Sequence, residues 1–290
     1  MLDSVAQKDI ERLSMDLLEQ SKALDVFPTP VEKIVSCADL VVSGSVDLVH
    51  VNKSFLSKLP SWLQGVSETI RGILDRKEKT IYLDLSQKVP RKNFVTLHET
   101  GHDIIPWQRE IMAYLENDET LDPHTNEEFE AQANYFASAT LFQQDRFSDA
   151  VKEIGLGLKP AGVIAKKFGG SVHATLRRMV EKTNRRLALI VLKPKSVAQC
   201  ERRDVFASQA FTKAFGDILL PKELGREHLF AADYLNGRRW LEDKSCSLPT
   251  TTGLHKLEYQ YFNNGYNAFV LIYPLGELPK TKTKIVITRL

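Results

Sequence analysis

The sequence has few of the features that mark secreted or membrane-bound chains. Its three cysteines, Cys37, Cys200 and Cys246, stand far apart and form neither a C-x-x-C pair nor an even-numbered disulfide framework. No apolar run approaches the length of about eighteen residues that a membrane span needs. The N-terminal segment contains acidic residues and apolar residues at amphipathic spacing. A signal peptide would instead have a basic region followed by an apolar stretch. We therefore expect a cytoplasmic protein with reduced thiols and no membrane contact.

An excess of charge of one sign is also missing. The chain of 290 residues has 39 basic and 37 acidic side chains, a formal net charge of +2, so bulk electrostatics does not indicate binding to nucleic acid or membranes. Hydrophobic residues make up 43% and charged residues 26% of the chain, the balance of a protein that can bury a sizeable core. The length allows one domain with a substantial second domain attached.

The hydrophobic pattern predicts an α+β protein. Helical spacing over 9–23 ends at the segment FPTP, and two β-like runs, Gly72 to Asp75 and Thr80 to Leu85, predict a hairpin. Thr80 to Leu85 is either an edge strand that receives an extended substrate or an ordinary internal strand. Two further helices are expected, one over 91–103 and one with Asn126 as its N-cap.

The second half of the chain has a different sequence pattern from the first. Residues 161–186 contain two short amphipathic helices around Gly169 and Gly170, the outline of a helix-turn-helix. Runs such as LALIVL, YNAFVLIYPL and KIVITRL then predict strands. We expect three parts: a domain over 1–150, a helical segment over 151–194 and a β-containing domain over 195–290.

His98 and His102 carry the strongest chemical signal. They are four residues apart on a predicted helix, so both imidazoles lie on one face and can bind a single metal ion. Glu99 is rotated by about one hundred degrees from His98, which places its carboxylate beside the metal without making it a ligand. A metallohydrolase needs this arrangement, with Glu99 as the general base that takes a proton from the attacking water.

A catalytic zinc commonly has three protein ligands and one open position, so a third ligand must come from elsewhere. Glu130 projects from the edge of an apolar helix face, where a carboxylate needs a partner, while Glu127 is farther from that face and Glu128 points away. The face itself consists of Phe129, Ala133, Phe136, Ala137 and Thr140. We predict His98, His102 and Glu130 as the ligands of Zn²⁺, with Mn²⁺ and Fe²⁺ as alternatives.

The joint pattern resembles the ImmA/IrrE family of metallopeptidases. His98-Glu99-Thr100-Gly101-His102 is similar to that family's H-E-x-G-H signature, and the octapeptide EAQANYFA from Glu130 is similar to its E-x-x-A-N-x-F-A signature. The segment IAKKFGGSVHATLRR from Ile164 resembles a third recurring element, in which Gly170 stands where an apolar residue is expected.

The resemblance implies a zincin-like domain that cuts a protein substrate. In this family the substrate is often a helix-turn-helix repressor, whose cleavage releases stress-response or mobile-element genes. By position, His98, His102 and Glu130 match the family's ligands and Glu99 its general base. Some relatives carry a C-terminal sensory domain that resembles a GAF fold, which makes residues 195–290 a candidate for such a domain.

Other functions compete with this hypothesis. The chain is alternatively a ligand-sensing or DNA-binding regulator with a non-catalytic metal site, or the toxin or partner-binding half of a two-gene system. The basic residues of the helix-turn-helix segment favour a solvated or partner-docking face over direct DNA reading. His173, in the same segment, is a candidate auxiliary donor to a tetrahedral intermediate, although a capping role explains it more simply.

Overall fold

The computed structural model describes residues 2–47, 72–114 and 123–278. Their contacts divide the chain into two compact units. The N-terminal unit comprises Met1–Ala150 and Ile164–Ser171, and the C-terminal unit comprises Val151–Val163 and Val172–Leu290. Within the described residues, no helix is long and apolar enough to cross a membrane.

The N-terminal unit begins with two helices, α1 (Ser4–Gln20) and α2 (Val31–Cys37). Helix α1 starts five residues earlier than the sequence pattern predicts, because the Asp3 carboxylate accepts hydrogen bonds from the backbone N–H groups of Val5 and Ala6. Its buried face consists of Ile10, Ser14, Leu17 and Leu18.

A three-stranded sheet accompanies these helices. Strands β1 (Val41–Asp47), β2 (Gly72–Asp75) and β3 (Thr80–Leu83) have the order β1-β3-β2, with β3 parallel to β1 and antiparallel to β2. The predicted hairpin is confirmed. The edge-strand interpretation of Thr80 to Leu85 is wrong, because β3 is paired on both sides.

Three helices follow the hairpin: α3 (Val89–Ile104), α4 (Pro106–Tyr114) and α5 (Pro123–Leu141). Pro90 lies in the first turn of α3, where its missing N–H costs nothing, and Pro106 opens α4. The expected N-cap at Asn126 is wrong, because α5 is already helical from Pro123. The sequence between α4 and α5 is polar and acidic and predicts a loop, of which residues 115–122 lie outside the described residues.

Helices α6 (Asp145–Ile154), α7 (Leu158–Phe168) and α8 (Val172–Lys182) come next, and α7 and α8 form the expected helical pair. Between them, Gly170 has a physical reason to replace the expected apolar residue. A Cβ on Gly170 would lie 3.0 Å from the ring of Phe142, so that ring already fills the space. The buried Phe142 thus occupies the space that a side chain at position 170 would need.

The C-terminal unit contains a six-stranded antiparallel sheet of order β6-β5-β4-β9-β8-β7. Its strands are β4 (Ala188–Pro194), β5 (Cys200–Ala207), β6 (Glu223–Leu224), β7 (Trp240–Thr250), β8 (Gly253–Asn263) and β9 (Ala268–Tyr273). Helices α9 (Gln209–Phe215) and α10 (Leu229–Leu235) complete the unit. Strands β4 and β9 are almost wholly buried, as their continuous apolar sequences indicate.

The α+β class is confirmed, whereas the division of the chain differs in detail from the expected boundaries. Strand β4 belongs to the C-terminal sheet although it precedes position 195. The segment 151–194 does not form a third compact unit, because its residues are shared between the other two. The third predicted strand run, KIVITRL, lies outside the described residues.

Candidate metal centre

His98 and His102 face each other on α3. Their Nε2 atoms are 3.1 Å apart, and both side chains are largely buried, with 14% and 15% of their surface exposed. The rings meet edge to face, with centroids 4.7 Å apart. The i, i+4 spacing thus brings the two ligand-type nitrogens to one point, as helical geometry predicts.

Glu130 approaches the same point from α5. Its Oε2 is 3.3 Å from Nε2 of His98, and its Oε1 is 3.5 Å from Nε2 of His102. Close packing of α3 and α5 permits this approach: a Cβ on Gly101 would lie 3.0 Å from the ring of Phe136. Glycine at position 101 therefore lets the second helix, and Glu130 with it, come near the histidines.

The three side chains fit a single metal ion. They offer one ligand atom each, and these atoms lie within 4.8 Å of one another. Two nitrogens that each lie about 2.0–2.1 Å from the same tetrahedral ion are about 3.3 Å apart, close to the separation of the two imidazoles. Two neutral imidazoles and a carboxylate are also a donor set that Zn²⁺ accepts. The ion type is not fixed by these ligands alone.

The electrostatics of the cluster reflect the proximity of these groups. Burial lowers the pKa of His98, but the hydrogen bond to Glu130 and the nearby carboxylates outweigh it, so the net shift is upward. Burial has the largest single effect on the pKa of Glu130 and raises it, but the hydrogen bonds to His102 and His98 and the charges of these residues together outweigh it and hold that pKa well below its ordinary value. A cation is therefore favoured at the point where these three groups meet.

Glu99 lies beside the cluster and is almost completely buried, with 8% of its surface exposed. Burial raises the pKa of its carboxyl group, and the charges of His98 and His102 oppose the rise. One side of this carboxylate is bounded by β2, since a Cβ on Gly72 would lie 3.0 Å from Glu99 Oε1. A sheltered carboxylate with a raised pKa is better able to take a proton from a water than an exposed one.

His173 lies at the start of α8, in the C-terminal unit. Its Nε2 is 3.7 Å from Asp204 Oδ2 on β5, and its ring packs near Phe206 and Phe269. These contacts are structural in character. An auxiliary role in the chemistry stays a prediction.

Sequence reasoning did not identify Gln108. This residue of α4 is fully buried, and its Oε1 is 2.8 Å from Nδ1 of His102. Trp107, the preceding residue of α4, donates its indole N–H to Gln132 Oε1 at 2.7 Å. The only available signal was the position of both residues directly after the histidine helix.

Two histidines, a carboxylate on a second helix and a buried neighbouring carboxylate are the parts of a mononuclear metallopeptidase centre. Residues 63–180 match the model of the IrrE N-terminal-like domain, Peptidase_M78. This match supports an ImmA/IrrE family metallopeptidase in the part of the chain that carries the motifs.

Comparison with solved structures adds information on the fold. A Mycobacterium tuberculosis transcriptional regulator is similar with a TM-score of 0.55 and 10% sequence identity, over 92% of this chain and 76% of that one. At this identity the likeness concerns the fold alone. No curated protein sequence matches the chain.

Proposed function

We propose that the protein is a metal-dependent, site-specific endopeptidase, with His98, His102 and Glu130 as ligands and Glu99 as general base. The observation that carries the proposal is the burial of Glu99 beside the three converging ligand atoms. A purely structural metal site has no need of a fourth, non-ligating carboxylate.

The chain's own residues divide the chemistry between them. His98, His102 and Glu130 would hold a divalent cation, which would supply Lewis acidity to the scissile carbonyl and lower the pKa of the attacking water. Glu99 takes the proton from the attacking water and then delivers it to the leaving amine, so the carboxylate ends each cycle unchanged. The raised pKa of Glu99 supports the first step, because a more basic carboxylate accepts the proton more readily.

The substrate we propose is a helix-turn-helix transcriptional repressor, whose cleavage derepresses stress-response or mobile-element genes. This part rests on the family resemblance. Direct DNA binding is less favoured, because several basic residues of the helical pair have partners within the protein. Arg178 is buried, and Arg177 pairs with Glu181 and stacks on Phe206.

The test is incubation with a repressor encoded beside the gene, with products followed by mass spectrometry. Wild type should give one dominant, chelator-sensitive cut. Glu99→Gln should keep the metal and the fold but cleave about one hundred to ten thousand times more slowly, because an amide cannot take the proton.

Asp103→Asn is the matched control on the same helix. Asp103 is also buried, but its carboxylate pairs with Lys79 at 2.8 Å, so this variant should still cleave. Cleavage by Glu99→Gln at the wild-type rate would contradict the peptidase mechanism, even if the metal is bound.

A further inference from the structure

A buried chain of hydrogen bonds lies behind His102. Gln108 is fully buried on α4, and its side-chain amide makes three contacts. Its Oε1 is 2.8 Å from Nδ1 of His102, and its Nε2 is 3.1 Å from the carbonyl oxygen of Phe129 and 2.8 Å from Oε1 of Gln132. Gln108 thus connects a histidine of the metal centre to the backbone and side chains of α5.

Two neighbours of Gln132 fix which atom of its amide donates and which accepts, because one of them can only donate a hydrogen bond and the other can only accept one. The indole N–H of Trp107 can only donate, and it lies 2.7 Å from Oε1 of Gln132. The carboxylate of Glu128 can only accept, and it lies 3.1 Å from Nε2 of Gln132. The oxygen of the Gln132 amide therefore faces Gln108.

The orientation of Gln108 follows from the same reasoning. The carbonyl of Phe129 and the amide oxygen of Gln132 are both acceptors, so the amino group of Gln108 must face them. The amide oxygen of Gln108 therefore faces His102, and it can only accept a hydrogen bond from Nδ1 of that ring. In a neutral imidazole the proton must then sit on Nδ1, and the lone pair is on Nε2.

This Nε2 is the atom that faces the metal centre, 3.1 Å from Nε2 of His98 and 3.5 Å from Glu130 Oε1. The opposite tautomer would direct an N–H at the metal. We propose that Gln108 is a positioning residue that fixes the tautomer and ring orientation of His102 for metal binding. The inference rests on the proposed metal centre.

His98 provides a contrast within the same centre. Its Nδ1 is buried and has no hydrogen-bond partner among the described residues. Within the described part of the chain, no hydrogen bond at Nδ1 therefore orients the ring of His98 in the way that Gln108 orients the ring of His102. The two candidate ligands on α3 therefore differ in whether a hydrogen bond to Nδ1 fixes the ring orientation before the metal binds.

The first test is Gln108→Met, which keeps the length of the side chain and removes all three hydrogen bonds. Loss of such an outer-shell partner typically costs about 10–100-fold in metal affinity, and we expect this drop in a zinc competition assay with a chromogenic chelator. The metal-binding stoichiometry should stay at that of wild type.

Gln143→Met is the matched control. Gln143 is also fully buried in the N-terminal unit and also makes three hydrogen bonds, to Asp25, Val26 and Thr29. It should lose stability to a similar extent but bind zinc like wild type. Equal losses of affinity in the two variants would overturn the inference, because they would reflect general destabilisation.

Gln108→Glu distinguishes positioning from simple packing. A carboxyl group in either ionisation state still offers an oxygen to His102 Nδ1, but it cannot reproduce both donated hydrogen bonds. We expect its zinc affinity to exceed that of Gln108→Met even if its thermal stability is lower. Affinities that merely follow the stabilities would contradict a positioning role.

A measurement on the metal-free protein completes the test. Two-bond ¹H–¹⁵N NMR correlations above pH 8 should show the His102 proton on Nδ1 in wild type, and a share of the other tautomer in Gln108→Met. A wild-type proton on Nε2 would overturn the inference. Failure of wild type to bind metal would instead contradict the proposed centre, so the two failures are distinguishable.

Discussion

At the scale of single residues, Gly72 controls the space around Glu99. A Cβ at this position would lie 2.5 Å from Val95 Cγ1 and 3.0 Å from Glu99 Oε1. Both contacts are shorter than van der Waals packing allows, so one of the two side chains must move. Because Val95 and Glu99 lie one turn apart on α3, the displacement acts directly on the candidate base.

Gly72→Ala should therefore reduce cleavage more than metal binding. A displacement of about 1 Å in a reacting group can cost about one hundredfold in rate, whereas Glu99 is not a ligand. The measurements are the cleavage rate and the zinc affinity of the same preparation. Gly44→Ala is the control, because Gly44 also lies in a strand but no atom of the described residues is within 4 Å of its ideal Cβ position. Equal cleavage by both variants would show that β2 does not confine Glu99.

Residue spacing alone predicts part of this centre. The i, i+4 histidines and the phase of Glu130 follow from helical geometry, and the structure brings these three side chains together. Gln108 could not be predicted in this way. Its approach to His102 depends on the break between α3 and α4 at Pro106, and the direction of α4 after that break is set by tertiary packing.

At the scale of elements, the contact between α3 and α5 brings the candidate ligands together. Gly101 faces the fully buried ring of Phe136, and a Cβ there would lie 3.0–3.3 Å from three atoms of that side chain. The two helices can approach this closely only because position 101 lacks a side chain. Helix α5 carries Glu130, so the separation of the helices sets the distance between Glu130 and the two histidines.

Gly101→Ala should lower both stability and metal affinity, because overpacking typically costs about 1–3 kcal/mol and pushes Glu130 away from the histidines. The measurements are urea unfolding and zinc competition. In Gly101→Ala combined with Phe136→Leu, the smaller side chain should restore part of the affinity. Gly162→Ala, at a helical glycine with open space, should instead be stabilising or neutral. An unchanged zinc affinity in Gly101→Ala would show that the packing of α3 against α5 does not control metal binding.

Element types were easier to predict than their partners. The hairpin and the helix of His98 follow from periodicity and from the prolines. The central position of β3 does not, because its second partner, β1, comes from a segment that ends 33 residues before β3 begins. Local sequence contains no information on which distant strand will add to an edge. The strand's apolar residues suit either position.

At the scale of the whole molecule, metal binding should stabilise the N-terminal unit. A ligand that binds only the folded state at one hundred times its dissociation constant contributes about 2.7 kcal/mol. Zinc should therefore slow amide hydrogen exchange in peptides from α3 and α5. The peptides of β7, β8 and β9 serve as an internal reference. Glu130→Gln should abolish the protection, whereas Glu127→Gln should retain it. Protection that persists without Glu130 would contradict its assignment as a ligand.

The exposure of Glu130 has a kinetic consequence. About half of its side chain, 48%, is exposed, while the apolar face of α5 is buried through other residues, such as Ala133 and Phe136. Release of the carboxylate therefore requires a side-chain rotation and leaves the helix packing intact. Such rotations are fast, whereas opening of a packed core is slow. We therefore expect the proposed ion to enter and leave the folded protein, so that occupancy of the centre follows the free metal concentration around it.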